Sequence, residues 1–291
     1  MIREYDISLQ NLVSLWLMVM VTIALVCFLV SEITRNYSQV DKLWSLMPII
    51  YSWIALITKP SPRLWIMACL VTLWGLRLSY NFFRKGGYSI IPWKGAEDYR
   101  WQVMKEHPEL KGRFRFGLFN LFFISLYQNV LILLFSSPVL LASQFPDREL
   151  TALDLVAAIL MVTFIIAESI ADNQQFRFHQ EKHMKAPGLK RYQASLNKGF
   201  LAEGLWRYAR HPNFTAEQGI WISFYFFGVA ASGKWINFTA AGCLLLVLLF
   251  MGSTQLTEGI SSRKYPEYEQ YRKEVPKFIP RIRDLMRKKQ V

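Results

Sequence analysis

Long apolar stretches recur along almost the whole chain and restrict it to one class of fold. A helix that crosses a bilayer needs about 20 apolar residues, because the hydrocarbon core offers the backbone no polar partners outside the helix. Seven stretches come close to this length, at residues 12–31, 43–57, 64–83, 116–142, 150–171, 218–231 and 235–253. The sequence therefore predicts an all-α, multi-pass bundle of about seven spans that forms a single membrane domain over residues 1–291.

Basic residues follow the odd-numbered spans. Most of the 34 Lys and Arg residues lie in three segments, 84–115, 177–210 and 263–289, which come after the third, fifth and seventh spans. Cytosolic loops of membrane proteins carry such an excess of positive charge. The pattern predicts that the N-terminus lies outside the cell or in a lumen and that the C-terminus lies in the cytosol. It also accounts for the net charge of +13 without nucleic acid as a partner.

The last four residues match a retrieval signal. Lys288 and Lys289 stand where a dilysine signal for the endoplasmic reticulum requires them, and such an address is read only on the cytosolic side. We therefore expect an integral membrane protein of the endoplasmic reticulum in a eukaryote, or of the inner membrane in a bacterium.

Polar residues recur at helical spacing near the predicted cytosolic ends of spans three and five. The first set shares one helix face and consists of Arg77, Tyr80, Asn81 and Arg84. The second set does the same and consists of Glu168, Asp172, Gln175 and His179. Because an unpaired ion inside a membrane is costly, Arg77 and Glu168 are predicted to pair. The two sets either hold the bundle together or line a polar cavity that opens to the cytosol.

The densest group of polar residues is the run at 204–218, where a basic segment meets the sixth span. Pro212 disfavours helix at His211 and suits the first turn of a new helix, so span six is predicted to begin there. The amides of that first turn form an anion site, and Arg207 and Arg210 lie one turn apart beside it. The run therefore predicts a phosphate or pyrophosphate site.

Two other residues of this run carry hydrogen-bonding groups. Asn213 and Glu217 are four residues apart on the predicted helix and could hold hydroxyls or an amide. The alternative interpretation is a membrane-interface anchor, with Trp206 and Tyr208 at headgroup depth and the arginines on lipid phosphates. Neither glycine-rich nucleotide motif occurs, so a nucleotide would have to bind between helices.

Six short motifs occur in the order that is typical of one membrane-protein family. The longest, GLWRYARHPNFTAE at 204–217, is similar to the family's GLWRYSRHPNYFGE. The others are QVDKLW at 39–44, WGLRL at 74–78, EDYRW at 97–101, DNQ at 172–174 and YEQYRKEVPKFIP at 268–280. Over residues 38–282 the chain resembles the DUF1295 proteins, relatives of the steroid 5α-reductases and sterol reductases. In this resemblance the part from about 150 to 282 is steroid-reductase-like and carries the cofactor site.

The resemblance implies a helical membrane reductase that holds NADPH in a cavity on the cytosolic side. The residues that would contact the cofactor are Asp172, Gln174, Arg207, Arg210, His211, Asn213 and Glu217. Glu258 and the tyrosines of the tail would help to close the site. Gln175 replaces a lysine of the sterol reductases, which leaves NADH open as the cofactor. The glutamine–glutamate pair of the steroid reductases is missing from span two, so Tyr51 or Tyr80 is the predicted catalytic donor to the substrate.

Three functions remain open at this point. The first is an NAD(P)H-dependent reductase that acts on a C=C bond of a lipid-like substrate such as an enone or a sterol. The second is a methyltransferase of a lipid or prenylated substrate, because such enzymes share an RHPxY turn and bind S-adenosylmethionine. The third is a membrane scaffold or lipid-binding protein without turnover. All three imply membrane lipids as partners. His179 and His183 are four apart and could share a metal on a helix, but Gln180 stands where the zinc-protease motif requires Glu, so no metal site is predicted.

Overall fold

The computed structural model describes residues 9–183 and 191–281, and within these ranges no residue forms a β-strand. The α-helices are α1 (Leu9–Thr34), α2 (Gln39–Leu43), α3 (Met47–Thr58), α4 (Pro62–Arg84), α5 (Tyr99–Glu106), α6 (Arg113–Phe119), α7 (Gln128–Ser136), α8 (Pro138–Ala142), α9 (Ala152–Lys182), α10 (Gln193–Lys198), α11 (Pro212–Ser232), α12 (Ala240–Lys264) and α13 (Tyr268–Glu274). A π-helix at Asn120–Tyr127 joins α6 to α7, and a 3₁₀ turn at Gly204–Arg207 precedes α11. The all-α prediction is confirmed.

Five helical stretches of the described chain are long and apolar enough to cross a membrane. They are Leu9–Thr34, Pro62–Arg84, Arg113–Ala142, Ala152–Lys182 and Ala240–Lys264, and they overlap the first, third, fourth, fifth and seventh predicted spans. The second predicted span is α3, an apolar helix of only 12 residues. The sixth lies in α11, which has 21 residues but begins with several polar ones. The total of seven spans and their orientation stay predictions, and Lys288 and Lys289 lie outside the described residues.

The described chain divides into two compact units. Unit 1 contains residues 9–159 and 222–246, and unit 2 contains residues 160–183, 191–221 and 247–281. Helices α9, α11 and α12 contribute residues to both units. Arg77 belongs to unit 1 and Glu168 to unit 2, so their pairing stays a prediction.

Unit 1 is built around contacts of α1, α3, α4 and the α6–α8 segment. Its interior contains large side chains that are almost fully buried, among them Trp16, Tyr51, Trp74 and Phe135. Gly75 explains how α4 approaches α3 so closely. A Cβ atom at this position would lie 2.6 Å from the Ser45 carbonyl oxygen and from the Ile49 side chain. Small residues allow such close packing of membrane helices, which gives the glycine of the WGLRL motif a structural role.

A buried ion pair fixes the start of α4 in unit 1. Arg63 is 2% exposed and donates hydrogen bonds to both carboxylate oxygens of Asp154, at 2.7 and 3.0 Å. Its guanidinium also donates to the carbonyl oxygens of Arg148 and Glu149. Asp154 in turn accepts the backbone N–H of Thr151 at 2.8 Å. Sequence spacing gives no sign of this pair, because its two members are 91 residues apart.

The π-helix interrupts the fourth predicted span at its polar residues. Asn120 donates to Glu32 of α1 at 3.0 Å and accepts the Ser125 hydroxyl at 3.2 Å. Asn129, just past the π-helix, donates to the Ser125 carbonyl at 2.8 Å. The hydrogen bond from Asn120 joins this span to α1, whereas the one from Asn129 stays within its own helix.

Candidate functional site

The run at 204–218 lies in unit 2 and forms the predicted helix junction. Its first residues make the 3₁₀ turn, and α11 begins at Pro212 as predicted. Gln174 of α9 contacts the 3₁₀ turn, and its side-chain oxygen accepts a hydrogen bond from the backbone N–H of Leu205 at 2.9 Å. The indole N–H of Trp206 points at the Ala171 carbonyl at 3.4 Å, and its ring belongs to a buried cluster with Phe178. The DNQ and GLWRY motifs therefore pack against each other.

Gly204 is required by this arrangement, since it has a φ of +65° and a Cβ there would lie 2.5 Å from the Gln174 side chain. We expect Gly204→Ala to lower the free energy of unfolding by about 2 kcal/mol, because both the left-handed backbone and the close contact resist a side chain. Chemical denaturation in detergent measures the change. The matched control is Gly259→Ala, at a helical position with nothing within 4 Å of the added carbon, which should be neutral or stabilising. Equal effects at both positions would contradict the expectation.

Glu258 of α12 is the centre of the charged cluster in unit 2. Its carboxylate is buried and accepts the Nε–H of Arg210 at 2.8 Å and lies 2.9 Å from Nε2 of His211. Arg272 approaches the second carboxylate oxygen at 3.4 Å. Three basic groups thus surround one carboxylate. The neighbours Arg210 and His211 are themselves 8% exposed, so the cluster is largely shielded from solvent.

The tail of unit 2 is tied to the same two residues through its backbone. The backbone N–H groups of Arg210 and His211 donate to the carbonyl oxygens of Pro276 and Lys277, at 2.9 and 3.1 Å. The Arg210 side chain also donates to the carbonyl oxygens of Arg272, at 2.8 Å, and Val275. Arg210 therefore holds the tail in place, a role that the sequence analysis did not anticipate.

A tail tyrosine reaches the 3₁₀ turn. The Tyr271 hydroxyl donates to the Trp206 carbonyl at 2.5 Å, and burial raises the pKa of this phenol. Tyr268 is buried beside it, which raises its pKa to about 12. Both phenols therefore stay protonated at neutral pH. Tyr271 and Glu258 both contact the 204–218 run, and their part in closing a cofactor site stays a prediction.

Other residues of the run keep groups that could reach a ligand. Arg207 is exposed, and no described residue accepts a hydrogen bond from its side chain. The Oδ1 atom of Asn213 is buried and has no hydrogen-bond partner among the described residues. Glu217 is buried and accepts the indole N–H of Trp221 at 3.1 Å. Asp172 is also buried, at 3% exposure.

The two tyrosines predicted to be catalytic lie in unit 1. Tyr51 is buried, and its ring centroid lies 4.6 Å from that of Trp16. Tyr80 is 63% exposed, although the next residue, Asn81, is buried and accepts hydrogen bonds from Arg84. The predicted polar face of α4 is therefore divided between a buried and an exposed side.

Two further motifs contact each other in unit 1. The Trp101 indole donates to the carboxylate of Asp41 at 2.9 Å, and the Asp98 amide donates to the Ser38 hydroxyl at 2.9 Å. Burial raises the pKa of Asp41, and the nearby charge of Asp98 raises it further. Ser38 is the residue before α2, and Asp41 lies inside that helix.

A lysine–tyrosine pair in unit 2 was missed by the sequence analysis. The Nζ of Lys182 lies 2.8 Å from the Tyr265 hydroxyl and also donates to the Gly199 carbonyl. Burial would raise the pKa of Tyr265, but the hydrogen bond and charge of Lys182 hold it below the ordinary value. In the sequence, Lys182 is only a basic residue in the last turn of α9, and Tyr265 is only a tyrosine that follows α12. Their spacing does not indicate that they contact each other.

Fold and site together define an all-helical membrane protein with a buried charged cluster at one helix junction. The chain belongs to the DUF1295 family, described as a protein family of unknown function, which matches residues 27–275. It is similar to the uncharacterized protein C594.04c of Schizosaccharomyces pombe, with 40% identity over 265 residues, 87% of this chain and 75% of that protein. No solved structure matches the chain.

Proposed function

We propose that this protein is an NAD(P)H-dependent reductase that acts on a C=C bond of a lipid-like substrate. The observation that carries the proposal is the start of α11, where the exposed Arg207 and the unpartnered Asn213 oxygen lie beside a helix N-terminus. The ordered family motifs and the apolar helices support it. In this proposal the substrate enters from the membrane. That membrane is the endoplasmic reticulum if the dilysine match is a retrieval signal, or the inner membrane if the protein is bacterial.

The residues present fit a nicotinamide dinucleotide at this end of α11. In the first turn of α11 the amides of Asn213 and Phe214 remain for an anion, because Pro212 has no N–H and the His211 amide donates to Lys277. Arg207 adds a full positive charge for a pyrophosphate. Asn213 offers an acceptor for a hydroxyl or an amide N–H. A bound cofactor of this kind supplies a hydride, while the protein binds, orients and excludes water.

Arg210, His211 and Glu258 take a different part in the proposed site. Their charged groups are used by one another and by the tail, so they shape the site rather than grip the cofactor. Asp172 and Glu217 are buried, and Gln174 accepts a hydrogen bond from the run. These three residues would orient the run or contact the ribose of the cofactor. Tyr51 and Tyr80 stay the sequence-based candidates for the proton donor.

The deciding experiment is calorimetry on the full-length protein in detergent with NADPH, NADH and S-adenosylmethionine as separate titrants. We expect NADPH or NADH to bind with a micromolar dissociation constant. Binding of S-adenosylmethionine alone would replace the reductase with the methyltransferase. If none of the three binds at micromolar concentration, the reductase proposal fails and a scaffold or lipid-binding role takes its place.

Arg207 gives a residue-level test of the same proposal. We expect Arg207→Gln to weaken NADPH binding at least tenfold, because a charge-assisted hydrogen bond to phosphate contributes roughly 1.5–3 kcal/mol. Arg177→Gln is the matched control, since it removes the same charge from an exposed position of unit 2. The proposed role of Arg207 is refuted if both variants bind NADPH like the wild type, or if both lose the same affinity.

A further inference from the structure

A shallow basic depression lies on unit 1, apart from the residues of the proposed cofactor site. Its volume is about 340 Å³, and it is lined by Arg35, Tyr37, Lys105, Gly112, Arg113 and Phe116. Three of these six residues are cations and two are aromatic. Arg35 and Tyr37 lie in the loop between the first two predicted spans, and Lys105, Gly112 and Arg113 lie in the basic segment 84–115. Both segments are predicted to be cytosolic, and Phe116 begins the fourth predicted span.

The charges of the depression do not cancel. Arg35 pairs with Glu32 at 2.9 Å, and Lys105 pairs with Glu97 at 2.9 Å. Arg113 is exposed and forms no ion pair with a described residue. Since two carboxylates serve three cations, the depression retains a positive charge. An anion that binds in the depression would neutralise this charge.

The base of the depression is held in one arrangement. The Tyr37 and Phe116 rings meet edge to face, with their centroids 4.7 Å apart, and Nζ of Lys105 lies 4.5 Å from the Tyr37 ring centroid. The Tyr37 backbone N–H donates to Glu97 at 2.7 Å, which fixes the carboxylate that pairs with Lys105. A ligand would therefore meet preformed cations.

An apolar surface continues from the depression along the fourth predicted span. Phe114, Leu118 and Phe122 are four residues apart and remain 77%, 42% and 59% exposed. Leu118 and Phe122 lie in the span predicted at 116–142 and Phe114 directly precedes it, so these side chains are in position to meet lipid chains. A cationic depression thus lies beside an apolar surface, at the place where a headgroup meets its acyl chains.

We propose that this depression binds an anionic phospholipid of the cytosolic leaflet. The phosphate lies among Arg35, Lys105 and Arg113, and an acyl chain follows Phe114, Leu118 and Phe122. Basic pockets on the cytosolic side of membrane proteins bind lipid phosphates in this way. The site is independent of the proposed reductase function and would exist equally in a scaffold or a methyltransferase.

Native mass spectrometry of the full-length protein in detergent tests the proposal. The ligands are dioleoyl phosphatidic acid, dioleoyl phosphatidylcholine and glycerol 3-phosphate. We expect phosphatidic acid to bind at least tenfold more tightly than the other two. Arg113→Gln should weaken phosphatidic acid roughly fivefold and Arg113→Glu more, because each basic residue near an anionic lipid contributes about that factor. Arg113→Lys should keep the affinity.

The matched controls are Arg115→Gln and Arg115→Glu, which change the same charge at an exposed residue that does not line the depression. They should leave the binding of phosphatidic acid unchanged. If the Arg113 and Arg115 variants lost the same affinity for phosphatidic acid, the attraction would be diffuse and the proposal would be overturned. An unchanged affinity of Arg113→Gln would overturn it too. Glycerol 3-phosphate binding as tightly as phosphatidic acid would assign the site to a soluble phosphate compound instead. The Arg113 side chain is exposed and forms no hydrogen bond or ion pair with a described residue, so its variants should unfold at the wild-type temperature.

Discussion

Glu258→Gln should lower the free energy of unfolding by about 3–5 kcal/mol and release the tail from the 204–218 run. The carboxylate accepts from Arg210 and lies against His211, and all three groups are buried. Removing one partner of a buried ion pair leaves the other charge uncompensated in a poorly solvated place, which produces losses of this size. The amide of Gln keeps the volume of the side chain but not its charge.

Two measurements separate the parts of this expected result. Denaturation in detergent gives the loss in the free energy of unfolding, and limited proteolysis reports whether the tail around residues 272–277 has become accessible. If the reductase proposal is also correct, NADPH binding falls in the same variant, since the tail shapes the site. The stability and proteolysis results do not depend on that function.

Glu269→Gln is the matched control for Glu258→Gln. Glu269 pairs with the same Arg272 at 2.8 Å, but its side chain is 53% exposed. Exposed ion pairs contribute little to stability because water screens them, so the control should keep both its stability and its proteolysis pattern. A second variant, Glu258→Gln with Arg210→Met, removes the stranded charge and should recover part of the lost stability. It also removes the donors to the Arg272 and Val275 carbonyls, so the tail should stay accessible to protease. An equal loss for Glu258→Gln and Glu269→Gln would contradict the buried cluster.

Arg63→Met should destabilise unit 1 by a similar amount, about 3–5 kcal/mol. The substitution keeps the apolar length of the side chain but removes every donor to Asp154 and to the carbonyl oxygens of Arg148 and Glu149. Asp154 would keep only its hydrogen bonds from Thr151. The measurement is the midpoint of denaturation in detergent.

The double variant Arg63→Met with Asp154→Leu should be more stable than Arg63→Met alone, because it leaves no buried charge behind. Lys234→Met provides the control, since Lys234 is an exposed cation of the same unit and its loss should change stability by less than about 0.5 kcal/mol. If Arg63→Met were as harmless as Lys234→Met, the buried pair would not be what fixes the start of α4.

The helices could be predicted from the sequence because their signals are local. Apolar runs of membrane length and the break before Pro212 depend only on neighbouring residues, and the structure confirms both. The short α3 and the polar first turns of α11 show the limit of this reasoning. Such segments can be identified as helices, but their relation to a membrane cannot be derived from length and composition.

The partners of charged residues could not be predicted, because they come from distant parts of the chain. Arg63 and Asp154 are 91 residues apart in the sequence, and Arg210 and Glu258 are 48 apart. Helical spacing shows which residues share a face of one helix, but it does not say what packs against that face. For the same reason Tyr80 and Asn81 appeared equivalent in the sequence, whereas α4 exposes the first and buries the second.

The hydrogen bonds from Arg210 and His211 to Pro276 and Lys277 affect the order in which the protein can mature. During synthesis the ribosome completes the 204–218 run about sixty residues before it adds the segment to which that run binds. All five long apolar helices can therefore have entered the translocation machinery before the tail is available. The region around Glu258 takes its final form only after residue 277 has been synthesised. A premature stop codon between α12 and that residue would thus leave the membrane-spanning part intact and remove only the docking of the tail.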